Sequence, residues 1–151
     1  MRNGAALRLG TRAFLAIAVA STLAVASPAA QVAQASTSNQ MLRMTNEDRR
    51  DANRKPLRLD RRLSRYAVKH SKQMARRGEI FHTPNLAKVL NRNWRVAGEN
   101  VGNGGDLAAL EDAFMDSTDH RKNILRRSYD HAAVGVVSAD GSLWVTVIFY
   151  G

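Results

Sequence analysis

A chain of 151 residues with 23 Lys and Arg against 13 Asp and Glu, and no cysteine, amounts to one basic domain. The missing cysteine excludes disulfide staples, thiolate catalysis, Cys-ligated zinc and lipid attachment through an N-terminal Cys. Packing alone must hold the fold.

The first third differs in composition. Arg2, Arg8 and Arg12 give a positive start, and no acid precedes Glu47. An apolar run from Ala13 to Ala20 continues through Leu23 to Ala26, and small-residue exits follow at Ala24-Val25-Ala26 and Ala33-Gln34-Ala35. Basic start, apolar middle and A-x-A exit make a secretory signal peptide. The alternative is an uncleaved membrane anchor, but the run is broken by Ser21 and Thr22 and falls short of the roughly 20 residues that a span needs. The expected organisation is a leader over 1–35, with cleavage after Ala26 as the alternative, a linker over 36–40 and one domain over 41–151. Cleavage after Ala35 leaves 116 residues with 20 basic and 13 acidic side chains, enough for one core. The product is expected to be secreted, extracellular or cell-wall associated, and monomeric.

In chain order, Ala29 to Asn39 is rich in Ala, Gln and Ser and reads as linker. A first helix is expected from near Ser38, an N-cap type, to about Asp51, with Met41, Leu42 and Thr45 inward. Pro56 disfavours helix at the residue before it. Asp60 caps a second helix that Gly78 ends, and Leu63, Ala67, His70, Met74 and Ala75 form its inner stripe. Leu86 to Leu90 suits a helical turn or two, and Trp94 to Val101 a strand interrupted by Gly98. Gly102 to Gly105 reads as a flexible loop; without a Gly-Lys-Ser or Gly-Lys-Thr ending it is no phosphate loop. Asp106 caps a helix with Leu107, Leu110, Phe114 and Met115 inside, and Asp119 to Leu125 continues as a tight turn or short helix. Ala133 to Val137 and Leu143 to Phe149 flank Asp140-Gly141, a favoured hairpin turn. The second of these strands is apolar on both faces, which places it in a sheet covered on both sides. Helices first and sheet last predict an α+β, three-layer α-β-α sandwich whose C-terminal β-hairpin lies in a central antiparallel sheet.

Several segments together resemble the CAP superfamily (SCP-like; cysteine-rich secretory proteins, antigen five, plant pathogenesis-related proteins and bacterial relatives). They are Asn46 to Arg49 with Pro56 to Asp60; Leu63-Ser64, His70-Ser71, Met74-Ala75 and Arg77-Gly78; Phe81-His82-Thr83; Ala97-Gly98-Glu99-Asn100-Val101; Ser117 with His120 to Leu125; and Val134-Gly135-Val136 with Trp144-Val145-Thr146. The resemblance implies the same α-β-α sandwich, with a cleft where two histidines and one or two glutamates meet. These carry over as His82, Glu99 and His120. Many relatives hold a second glutamate where this chain has Ser117, and neither Asp116 nor Asp119 stands at that position. The stretch between His82 and Gly98 is also shorter than in many relatives.

Two neutral imidazoles at one point begin a divalent-cation site, with zinc the first candidate and His-His-Glu one possible ligand set. Glu99 can instead fix a histidine tautomer, or act as a general base if the protein is an enzyme. Ser117, Arg121 and Asn123 are expected to support the cleft, His70 to be a packed structural histidine, and His131 to be structural or exposed. Three functions follow: a binding or accessory protein with a cation cleft, a metal-dependent hydrolase with peptidase-like chemistry, or a basic binder of anionic lipid or cell-wall polymer. Partners are then a lipid, a wall polymer or a peptide, with no nucleic acid expected. The third function draws on Arg49, Arg50, Arg54, Lys55, Arg58, Arg61, Arg62 and Arg65, which attract polyanions, although Asp48, Asp51 and Asp60 are interleaved among them.

Overall fold

A computed structural model of the chain describes residues 27–90 and 94–151. Most of the expected leader, including the Ala26 exit, lies outside these residues. Helix α1 runs Pro28–Asp51, ten residues longer than expected. The stretch expected to be a linker is therefore helical. Pro28 stands at the first helical position, where a missing N–H costs nothing. The side chains of Gln34 and Ser38 then tie α1 to β3 at Val136, through its carbonyl (3.2 Å) and its N–H (3.3 Å).

After β1 (Arg58–Leu59), α2 (Arg61–Arg77) is bounded as expected. The Asp60 side chain accepts from the Leu63 N–H, and Gly78 closes the helix at φ 62°. A short α3 (Leu86–Val89) precedes β2 (Ala97–Gly104), so the glycine run expected to form a loop is strand up to Gly104. Side-chain packing explains this, because Gly102 and Gly104 let Phe114 and Leu110 approach the sheet closely. Helices α4 (Leu107–Asp116) and α5 (Thr118–Leu125) follow, then β3 (His131–Ala139) and β4 (Ser142–Tyr150).

The sheet order is β1-β3-β4-β2. Three strands are antiparallel, and the two-residue β1 adds a parallel edge to β3 that was not expected. Asp140 and Gly141 turn the β3–β4 hairpin with positive φ (49° and 74°), as the Asp-Gly pair predicts. Strand alternation sends Ala132, Val134, Val136, Val145, Val147 and Phe149 to the layer of α1, α4 and α5, and Ala133 and Ile148 to α2. The result is an α-β-α sandwich. Gly135 sits where α2 crosses the sheet, and a Cβ there would collide with the Ala67 and Val68 backbone.

Arg49 is fully buried, so the polyanion role expected of it is ruled out. Its guanidinium donates to the carbonyls of Lys55, Ile124, Arg126 and Tyr129. Truncation would leave these carbonyls unpaired inside the protein, so Arg49→Met should cost about 3–5 kcal/mol in urea unfolding.

Glu111 on α4 is 3% exposed, and neither of its carboxyl oxygens is in hydrogen-bond geometry. Burial pushes its pKa up to about 8, and the Asp48 and Asp112 charges reinforce the shift. The folded state therefore holds a proton that the unfolded chain releases near the reference value of 4.5. Stability should fall as pH rises from about 4.5 to about 8. Glu111→Gln should flatten that slope in melts taken across this range, and an unchanged slope would mean that other groups govern it.

Candidate functional site

Strand β2 is an edge of the sheet, and its neighbouring residues Glu99 and Asn100 leave it on opposite faces. Glu99 pairs across from Ile148 on the α2 side, and Asn100 across from Val147 on the α5 side. The two expected histidines therefore approach this edge from different layers: His82 lies in the loop after α2, and His120 in the first turn of α5.

Three donors converge on Glu99, whose side chain is 4% exposed. The Thr83 N–H reaches Oε2 at 2.8 Å, the Thr83 hydroxyl reaches Oε1 at 2.5 Å, and His82 Nδ1 lies 2.9 Å from Oε2. A carboxylate only accepts, so Nδ1 of His82 is a protonated nitrogen, and in the neutral ring this tautomer leaves the Nε2 lone pair free. The His82 side chain is 63% exposed, which presents that lone pair to solvent.

Behind Glu99 lies a second, directional chain. The Ser71 hydroxyl must donate to the Gly135 carbonyl (3.0 Å), so the Thr146 hydroxyl, at 2.8 Å, donates to Ser71. Thr146 then accepts from His70 Nδ1 at 3.2 Å. His70 is thereby fixed as the Nδ1–H tautomer, 3.9 Å from Glu99 Oε1, with Nε2 a buried bare acceptor. Burial lowers its pKa, so the ring stays neutral despite the Glu99 charge. The expected packed histidine is thus also the back wall of the site. Thr83 and Thr146 were missed as site residues by sequence reasoning, although Thr83 stood in the histidine motif and Thr146 in the closing-strand segment Trp144-Val145-Thr146.

His120 is placed through its backbone, whose carbonyl accepts from Asn100 Nδ2 at 3.1 Å. Its ring packs edge-on against Phe114, 4.9 Å between centroids. Burial lowers its pKa, and a charge on His82 would lower it further. Asn123 supports the site, donating to Asn100 Oδ1 (2.9 Å) and to the Glu99 carbonyl (3.3 Å). Gly98 is the only residue type that fits beside it, because a Cβ would strike Asn123 and the Tyr129 hydroxyl. Arg121 is exposed and lines a separate depression with Asp116, Thr118, Lys122 and Leu125, so it does not brace the cleft as expected. Ser117 acts through its backbone alone, between α4 and α5. Among the described residues, no three His, Asp or Glu side chains converge as a ready cation site. Through its 2.9 Å contact Glu99 orients the His82 ring.

Long-range proton–nitrogen spectra should show His82 and His70 both protonated at Nδ1. A His70 proton on Nε2 would contradict the hydroxyl chain. Glu99→Gln turns one of the converging acceptors into a donor and should cost about 1–3 kcal/mol in urea unfolding. His82→Ala, at an exposed ring, should cost no more than about 0.5 kcal/mol.

The cysteine-rich secretory protein family matches residues 42–149. YkwD, an uncharacterized protein of Bacillus subtilis, is 31% identical over 112 residues, which cover 69% of this chain and 43% of that protein. An extracellular SCP-domain protein of Bacillus anthracis superposes with a TM-score of 0.71 at 26% identity, over 84% of this chain and 44% of its own. An outer surface protein of Borrelia burgdorferi gives 0.67 at 17% identity, over 74% and 90%, a likeness of fold alone. The chain spans less than half the length of the first two of these. With the family match running from α1 to the end of β4, and the sandwich shared with these proteins, the chain belongs to the cysteine-rich secretory protein (CAP) family.

Proposed function

We propose that this chain is an exported binding protein whose His82–His120 pair holds one divalent cation, zinc first among candidates. The observation that carries the reading is the 2.9 Å contact from His82 Nδ1 to Glu99. A carboxylate behind a histidine orients the ring and raises the basicity of its free nitrogen, which is how metal-ligating histidines are supported. His120 adds a second imidazole that burial keeps neutral. Two protein nitrogens leave positions for water or for an oxygen of a bound lipid, peptide or wall polymer. Binding is favoured over hydrolysis because Glu99 already accepts three hydrogen bonds and is poorly placed to hold an attacking water.

Export is supported by the leader-like start and by the descriptions of the solved relatives as extracellular and outer-surface proteins. No helix among the described residues is long and apolar enough to cross a membrane. Cleavage after Ala26 would leave α1 whole, whereas cleavage after Ala35 would remove its first two turns and the Gln34 bond to β3.

Zinc calorimetry on the secreted chain should show one site. His82→Ala and His120→Ala should each weaken it at least tenfold, and Glu99→Gln should weaken it about 10- to 100-fold. Unchanged uptake in the double histidine variant would overturn the cation reading. Zinc-stimulated peptide cleavage that disappears with His82→Ala would replace binding with hydrolysis.

A further inference from the structure

The charge of this protein is concentrated on one helix. Helix α2 carries seven Lys and Arg and no acid, whereas the rest of residues 27–151 holds thirteen of each sign. The excess also has a direction. Arg61, Arg65, Lys69, Lys72 and Arg76 recur at steps of four, four, three and four, which keeps them within about 80° of the helix circumference. The buried residues Leu63, Ala67, His70, Ser71 and Met74 occupy the opposite side. Four of the five cations are exposed and Lys72 is half-buried. Among the described residues no acid pairs with any of them; the ion pairs present lie elsewhere. Successive charges rise about 4.5–6 Å along the axis, a straight row of about 22 Å.

An ordinary solvated helix face mixes both signs and gains from pairs three or four residues apart. This one pays like-charge repulsion at each step instead, and a row of anions laid along it would relieve that repulsion. Three arginines in the row favour phosphate, whose oxygens match the guanidinium fork. A membrane surface fits less well, because interfacial helices bury an apolar face. Among the described residues, the exposed large apolar side chains are Val32 and Ile80, and neither lies on α2. The row also has no aromatic ring for base stacking.

We propose that the outer face of α2 is a docking track for a linear phosphodiester polymer of the cell envelope, separate from the histidine site. Soluble poly(glycerol phosphate) is the probe, and phosphatidylglycerol vesicles present the same headgroup as a membrane. The polymer should bind, and its affinity should fall about a hundredfold between 50 and 200 mM salt if five phosphates are engaged, taking the salt slope of single-stranded polyanions. Reversing three charges (Arg61→Glu, Arg65→Glu, Lys69→Glu) should abolish binding, and the neutral triple change to Gln should weaken it at least tenfold with an unchanged circular-dichroism melt. Reversing Lys55, Lys88 and Arg127, exposed outside α2, should cost less than threefold. The proposal is overturned if the polymer fails to bind, if both triple reversals weaken it equally, or if vesicles bind as tightly as the polymer. Zinc titration of the α2 variants should match wild type, which keeps this test distinct from that of the histidine site.

Discussion

A single buried cation joins the parts of this protein that no sheet ladder connects. Arg49 leaves the last turn of α1, passes under the Lys55 carbonyl and ends among the carbonyls of Ile124, Arg126 and Tyr129. Arg54 adds a bond to the Leu125 carbonyl at 3.0 Å. The last carbonyls of α5 have no partners within the helix and carry its negative dipole end, so two guanidinia satisfy both deficits together. The position of α5 depends on this anchor. His120 and Asn123 are borne on α5, and through Asn123 the anchor reaches the Glu99 and Asn100 stretch of β2. A charge expected to face solvent thus fixes one wall of the site.

The other wall is fixed from the opposite layer by neutral groups. Hydroxyls of Ser71 and Thr146 run from the Gly135 carbonyl to His70, and His70 backs Glu99. Each wall meets its own residue of an adjacent pair on one edge strand, so the geometry of the site depends on the course of β2 at Glu99 and Asn100. Asn123 bonds to both of these neighbours, and its closeness, with that of the Tyr129 hydroxyl, leaves no room for a side chain at Gly98.

Much of the architecture was legible in the sequence because the cues were local. The Asp60 and Gly78 caps, the Asp140-Gly141 turn and the doubly apolar β4 each set a boundary from a few adjacent residues. The start of α1 was not legible, because an Ala- and Gln-rich stretch carries no stripe and becomes packed helix only where Gln34 and Ser38 find β3. The glycine run in β2 misled for a related reason: its strand character comes from pairing with β4 and from the close approach of Leu110 and Phe114. At the site, motif spacing named His82, Glu99, His120 and Asn123. It did not separate Asn123, which braces the strand, from Arg121, which faces away, since that difference is set by the rotation of α5. Arg49 was illegible as a buried residue because three of its four partners are backbone carbonyls more than seventy residues later.

Strand β2 pairs with β4, whereas β4 and β3 are joined by a two-residue turn. Closing the hairpin costs little chain entropy, but seating β2 on it closes a loop of 38 residues between Gly104 and Leu143. Assembly therefore has a natural order, with the hairpin and the helices on its faces first and the edge strand docking afterwards. The contacts of Glu99 with His82 and of Asn100 with the His120 backbone form only in that last step, so local opening at this edge would dissolve them while the core stayed intact.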